Sequence, residues 1–585
     1  MNIMTRMPEP PAALARCEPA PARSLDQALD SQIAWWTQGL SPASLFSAAA
    51  DWLGHLAGSP GKQTELLFKA QRKMLRLALF AASRQQLSAT PCIEPLPQDR
   101  RFEGGEWQQW PFNIIYQAFL LEQQWWHNAT TDVPGVTRHH EQLWTFAVRQ
   151  ALDMVAPSNF IVTNPIILQT TILSGGANLA AGMRKLLVDT YAPMPHAVDR
   201  FRPGKGVALT PGKIVFRNRL IELIEYSAQT ATVHAAPVLM VPPWIMKYYI
   251  LDLSPSNSLV RYLVEHGHTV FMISWKNPGA GDRELGMDDY LQLGIMAAID
   301  QVAMRRPDHP MHALGYCLGG TLLAIAAAAM ARDKDARLGT MTLLASQVDF
   351  TEPGDLGIFI DESQLNFLDN VMASKGYLDG KQMEGAFALL NAKDMVWSRM
   401  IQNYLLGKGQ GAGSDLAAWN ADATRMPYLQ QSEYLRRLYL NNDLAQGRYR
   451  VAGRAVALAD LRLPMFVVGT ERDTVSPWTS VYKIKLMTDT ALSFCLTTGG
   501  HNAGIVNSPL SGGDHFYQLS TREESGPYLD PQAWRAAAPT QAGSWWPAWE
   551  RWLTAHDSTQ VAAEPIRPSP GTAPCDAPGS YVLMP

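Results

Sequence analysis

A chain of 585 residues exceeds one ordinary hydrophobic core, so two domains or one large decorated domain are expected. It is 47% hydrophobic and 17% charged with a net charge of −4, which excludes a disordered chain and gives no electrostatic case for nucleic-acid binding. The cysteines (Cys17, Cys92, Cys317, Cys495 and Cys575) form no C-x-x-C pair, and no apolar run suits a secretory signal or a membrane span, so the expectation is a cytoplasmic protein without disulfides, metal or an integral membrane segment.

Residues 1–24 read as a disordered tail, and 25–200 as a mostly helical N-terminal domain without internal repeats. Within it, Glu65 to Phe80 is strongly amphipathic and is expected to face a core; contact with a lipid or granule surface is the sharper alternative. Trp110–His127, His140–Met154 and Leu168–Asp189 also carry helical patterning, with Pro157–Pro165 as punctuation. His139 and His140 lack a third ligand at helical spacing, so a solvated pair is expected. There are 18 tryptophans, several doubled, which are expected mainly in cores and interfaces.

From Val207 the pattern changes. Lys213–Tyr226 alternates as an antiparallel strand pair would. Short, nearly continuous apolar runs follow at 237–241, 269–275, 311–316, 340–345, 464–469 and 491–496, separated by helical stretches. That alternation indicates a parallel sheet buried on both faces. The expected fold is therefore α/β, an α/β-hydrolase domain over 201–555 with a cap insertion at about 351–460, followed by a loose tail over 556–585.

Met311-His-Ala-Leu-Gly-Tyr-Cys-Leu-Gly-Gly320 and the alanine-rich run after it read as strand, sharp turn and helix. Gly315 and Gly319 frame Cys317 as a nucleophile elbow requires, and the helix points its positive end at the thiol. An α/β hydrolase then needs an acid and a base, in that order, on loops after later strands. Asp473 follows the run ending at Gly469, and His501 follows the run ending at Leu496. Glu471 is the lower-ranked acid. In this triad His501 takes the proton of Cys317 and Asp473 orients the imidazole. The Leu318 N–H is a candidate oxyanion donor, with Trp244 or Ile245 supplying the second. A cysteine keeps an acyl group activated as a thioester, which favours transfer to a hydroxyl over hydrolysis.

The segments at these residues resemble the polyhydroxyalkanoate synthase family. They are Pro157-Ser-Asn-Phe160, Ser174-Gly-Gly-Ala-Asn178, Val241 to Leu253, Ser274-Trp-Lys-Asn-Pro278, Gly315 to Gly320, Trp419 to Thr424, Asp473 with Pro477-Trp478, Gly500-His501 and Gly543 to Pro547. The resemblance spans about 25–555 and is closest to the single-subunit synthases. It implies polymerisation of (R)-3-hydroxyacyl-CoA into polyester with release of CoA, the CoA thioester being substrate and no cofactor being needed. It also implies a homodimer, a growing polyester chain and a granule surface as partners, and Cys317, Asp473 and His501 as the triad. Two departures stand out: Thr474 replaces the usual histidine after the aspartate, and Trp244 stands where smaller residues are common, so a narrower pocket is expected. Either His501 or Asp473 could deprotonate the attacking hydroxyl. A thioesterase or polyester hydrolase of the same fold, and a non-enzymatic granule coat, are the competing readings.

Overall fold

The computed structural model describes residues 21–585 except 38, 84–89, 98, 192–199, 391, 409–412, 511, 572 and 574; the tail expected before residue 25 lies outside them up to residue 20. The N-terminal region holds α1 (Pro21–Thr37), α2 (Pro42–Ala57), α3 (Pro60–Ala82), α4 (Phe112–Thr130), α5 (Arg138–Met154), α6 (Pro165–Leu173) and α7 (Ala177–Tyr191). Ser41, Thr137 and Asn164 cap α2, α5 and α6 by accepting first-turn N–H bonds, and prolines open α2, α3 and α6. The single helix expected over 168–189 is instead broken at Gly175 and Gly176, both at positive φ, and its halves meet at 105°. No single described helix is long and apolar enough to cross a membrane.

A small core of Phe102, Trp107, Tyr116, Phe119, Leu120 and Leu152 holds this region together. The expectation that α3 faces a core holds for only part of its apolar surface. Leu66 is buried and Ala70, Leu77 and Phe80 are half-buried on the side that packs against α2 and α4, whereas Leu67, Phe68, Met74, Leu75 and Leu79 are exposed because nothing covers the outer side among the described residues. The histidine pair is not simply solvated either: His140 Nδ1 lies 2.6 Å from Asp51 and His139 Nε2 lies 3.2 Å from Asp361, fastening α5 to α2 and to the insertion.

The second region begins with the antiparallel pair β1 (Gly212–Arg217) and β2 (Ile221–Tyr226), then β3 (Thr232–His234), β4 (Val238–Val241), β5 (Val270–Trp275), β6 (Met311–Tyr316), α8 (Leu318–Arg332) and β7 (Leu338–Leu344). The insertion carries α9 (Glu362–Lys375), α10 (Asp415–Asn420), α11 (Tyr428–Tyr434) and two small pairs, β8 (Tyr377–Leu378) with β9 (Met426–Pro427) and β10 (Arg450–Val451) with β11 (Arg454–Ala455). The sheet resumes with β12 (Met465–Thr470), β13 (Leu492–Thr497), β14 (Phe516–Arg522) and β15 (Thr540–Ala542), before α12 (Trp546–His556) and β16 (Gln560–Ala562). The ten-stranded order is β1-β2-β5-β4-β6-β7-β12-β13-β14-β15. The strands from β5 to β13 run parallel and are almost entirely buried, and antiparallel strands flank them on both sides. This is an α/β-hydrolase sheet with a helical N-terminal region beside it.

The described residues of 556–585 are not loose. β16 pairs with β3, Ile214 N–H donates to Cys575 O at 2.8 Å, and Ala577 N–H donates to Gly212 O at 2.9 Å. Buried Glu222 accepts from the N–H groups of Ser580 and Tyr581 and from the Ser580 hydroxyl. Lys247 Nζ donates to the carbonyls of Val582 and Met584, and Asn277 Nδ2 to that of Pro585. The open edge of β1 and two buried charges supply partners that an Ala/Pro-rich composition does not reveal.

Candidate active site

Cys317 sits between the end of β6 and the first turn of α8 at φ 51° and ψ −124°, a backbone conformation that side chains rarely adopt. The close quarters around it require its glycines. A Cβ on Gly315 would stand 2.3 Å from Gly320 Cα, and one on Gly319 2.2 Å from Val241 O. The second contact matters chemically, because it seats the elbow directly against the loop after β4 that contains Trp244 and Ile245. Leu318 heads α8, where the first N–H groups of a helix have no intrahelical acceptor. The sulfur is buried, with Cys317 only 7% exposed.

Asp473 lies three residues past β12 and is fully enclosed. Its Oδ1 accepts from the N–H groups of Val475 and Ser476 at 2.9 and 2.8 Å. Its Oδ2 accepts from Thr470 Oγ1 and lies 2.7 Å from His501 Nδ1. The His501 ring stacks on that of Tyr316, the residue before Cys317, at 5.7 Å, which sets it at the elbow. Burial opposes a charge on this imidazole, but Cys317 and then Asp473 overcome it and push its pKa up to about 10. The three residues expected to form a triad are thus brought together. Glu471 is not part of the cluster; its carboxylate is engaged by Arg535.

The loop bearing the candidate second oxyanion donor is tied to the insertion. Thr424 donates its hydroxyl to Trp244 O at 2.6 Å and its N–H to Ile245 O at 3.1 Å. The Trp244 ring is buried edge-on to Tyr290 and Tyr434, each 5.7 Å away, and its Nε1 has no hydrogen-bond partner. Tyr434 in turn packs on Tyr439 at 5.4 Å. Burial first, and the adjacent Cys317 in addition, hold the Tyr439 phenol well above the ordinary tyrosine range. An aromatic wall from Trp244 to Tyr439 therefore flanks the sulfur. Behind Tyr439, a cleft of about 990 Å³ runs between α5, the 350–360 segment and Thr474.

Several supports escaped sequence reasoning. Trp545 and Trp546 donate their indole N–H groups to Gly504 O and Ile505 O, pinning the His501 loop from behind. The Tyr316 hydroxyl donates to Asn502 Oδ1, which neighbours His501, and Asn502 Nδ2 donates to Asn420 of α10. The doubled tryptophans were the available signal; their partners lie about forty residues away and carry no local motif.

Three family models match the chain: the poly-beta-hydroxybutyrate polymerase N terminal at residues 20–62, the poly-beta-hydroxybutyrate polymerase N-terminus at 98–263, and the alpha/beta hydrolase fold at 237–508. The chain is 39% identical over 537 residues to a poly(3-hydroxyalkanoate) polymerase of Methylorubrum extorquens, covering 89% of this chain and 88% of that one. It is 36% identical to a polymerase subunit of Rhizobium etli (88% and 83% covered) and 35% identical to one of Cupriavidus necator (81% and 82%). Among solved structures, a thioesterase domain from the curacin biosynthetic pathway aligns at 15% identity and TM-score 0.29, over 51% of this chain and 95% of its own. A monoacylglycerol lipase of Paleococcus ferrophilus aligns at 10% identity and TM-score 0.31, over 57% and 99%.

Proposed function

The chain belongs to the poly(3-hydroxyalkanoate) polymerase family, and we propose that it makes polyester from (R)-3-hydroxyacyl-CoA through a covalent thioester on Cys317. The observation that carries this reading is His501, held by Asp473 at 2.7 Å and stacked on Tyr316 beside the Cys317 elbow. The raised pKa of His501 favours its imidazolium form beside Cys317 at neutral pH. The Cys317 thiolate attacks the thioester carbonyl, and the carbonyl oxygen takes negative charge beside the Leu318 N–H and a donor from Trp244 or Ile245. Collapse breaks the carbon–sulfur bond to CoA, which leaves with the proton of His501. Neutral His501 then removes the proton of a 3-hydroxyl, that oxygen attacks the Cys317 thioester, and the thiolate is restored beside the imidazolium.

The burial of Asp473 supports His501 as the base. Both of its oxygens are occupied by protein donors, so it has no face for a substrate hydroxyl and acts by orienting His501. The other described cysteines stand apart: Cys495 is buried within β13, Cys92 is in the N-terminal region and Cys575 is on the C-terminal segment. That distribution supports elongation on one cysteine per chain. The exposed apolar face of α3 supports attachment to a granule surface and a homodimer as the working state.

The test is incubation with 3-hydroxybutyryl-CoA while CoA release and insoluble polyester are followed together. Both should appear in proportion. Free hydroxyacid without polymer would show a thioesterase instead, and full turnover by Cys317→Ala would remove the nucleophile assignment.

A further inference from the structure

We infer that Asn502 is a positioning residue that keys the base loop to the nucleophile elbow on one side and to the cap insertion on the other, an inference resting on the roles proposed for Cys317, Asp473 and His501. The parts that the reaction needs in register stand on three separate loops: Cys317 after β6, His501 after β13 and the candidate second oxyanion donor after β4. A misplacement of about 1 Å between such parts costs about 10²-fold in rate, so the loops must be held to one another.

Asp473 fixes the His501 ring through Nδ1, and the ring stacks on Tyr316 with 28° between the planes. Tyr316 also donates its hydroxyl to Asn502 Oδ1, so the residue before the nucleophile grips the base and its neighbour together. The other end of that amide, Nδ2, donates to Asn420 Oδ1 at 3.1 Å. An amide suits this place because it accepts at one atom and donates at the other. Asn420 ends α10, and the cap stretch from Trp419 to Thr424 is fastened to the oxyanion loop and the residues after it. Trp419 Nε1 donates to Lys247 O at 2.7 Å, the Tyr249 hydroxyl donates to Asp422 at 2.9 Å, and the Thr424 hydroxyl donates to Trp244 O. Trp419 and Thr424 are buried, and Asn420 is exposed. One short stretch of the cap thereby ties the oxyanion loop to the base loop, and a cap displaced from this seat would leave His501 without that tie. The turn that carries His501 has supports of its own. Asn502 O accepts from the N–H groups of Ile505 and Val506, and Trp545 and Trp546 hold the loop from behind, so a change in the Asn502 side chain leaves the turn intact.

Initial CoA release from 3-hydroxybutyryl-CoA is measured on the full chain carrying Asn502→Ala, Asn420→Ala, Asn420→Asp or Tyr316→Phe, with polymer yield and a thermal melt beside it. Asn502→Ala should lower kcat about tenfold with KM changed by less than about twofold, because the lost bonds act on the base and not on substrate binding. Asn420→Ala and Tyr316→Phe, each losing one of the two bonds, should lower kcat about threefold. Asn420→Asp, which keeps an acceptor oxygen for Asn502 Nδ2, should run at the wild-type kcat. The double variant of Asn420→Ala with Asn502→Ala should be no slower than Asn502→Ala alone, since both changes remove the same bond. Wild-type kcat in Asn502→Ala, an Asn420→Asp as slow as Asn420→Ala, or losses that multiply in the double variant would overturn the link. Should Asn502→Ala not fold, the exposed Asn420 and the Tyr316 hydroxyl carry the same test. A wild type that yields free hydroxyacid instead of polymer would reject the polymerase reading alone, because acylation of Cys317 needs an aligned His501 in either enzyme.

Discussion

Gly319→Ala puts the coupling between elbow and oxyanion loop to a quantitative test. The added Cβ would stand 2.2 Å from Val241 O, 2.6 Å from Pro242 O and 2.7 Å from Pro242 C, where ordinary contacts begin at 3.4 Å. All three are backbone atoms, so no side-chain rotation relieves them. Either α8 or the 241–245 loop must retreat by about 1 Å, and an overpacked core of this kind costs about 1–3 kcal/mol. A displacement of that size at a reacting centre is worth about 10²-fold in rate. The assay is initial CoA release from 3-hydroxybutyryl-CoA beside a thermal melt. A fall in kcat of about 10²-fold, with a midpoint lowered by only a few degrees, is expected. A variant with wild-type kcat would refute the claim that the loop after β4 must sit against the elbow.

Asp473→Asn should lower kcat by about 10³-fold or more while leaving the fold intact, because it loses the carboxylate that fixes the His501 tautomer. His501 has a folded pKa raised from 6.5 to about 10, so its protonated pair contributes stability that is complete below about pH 6.5 and lost as pH rises toward 10. Activity should fall on the same alkaline limb, and Asp473→Asn should move that limb down. Lys485 has the reverse sign. It is buried over the rings of Tyr482, Phe494 and Trp534, and burial first, then Arg522, lowers its pKa to about 7. The unfolded chain therefore binds more protons between about pH 7 and 10, and stability from this group rises with pH across that window. Lys485→Met should stabilise the protein by about 1–4 kcal/mol at pH 6 and flatten this dependence, measured by denaturant titration. Deleting residues 581–585 removes the carbonyl partners of buried Lys247, six residues past the end of β4, and should cost about 1–3 kcal/mol together with a reduced CoA-release rate.

The parts legible in the sequence were those written in neighbouring residues. The elbow glycines flank Cys317 directly, and the apolar runs of β4 to β7, β12 and β13 are continuous because both faces of those strands are buried. The order of Cys317, Asp473 and His501 then followed from the strands preceding them. What escaped depends on distant partners. β14 and β15 carry mixed or exposed side chains at the sheet edge, so no apolar run announces them. The exposed face of α3 and the core face of an ordinary helix have the same periodicity, and only the missing partner distinguishes them. The docked C-terminal segment is held mainly through its backbone and through Glu222 and Lys247, more than 300 positions away.

The most direct test of the covalent account uses an acyl-CoA that lacks the 3-hydroxyl, so that acylation proceeds and chain extension cannot. Mass spectrometry of the digested protein should find one acyl group on the peptide containing Cys317, with one CoA released per chain, and none in Cys317→Ala. An acyl group on another residue, or polymer formed by Cys317→Ala, would contradict it.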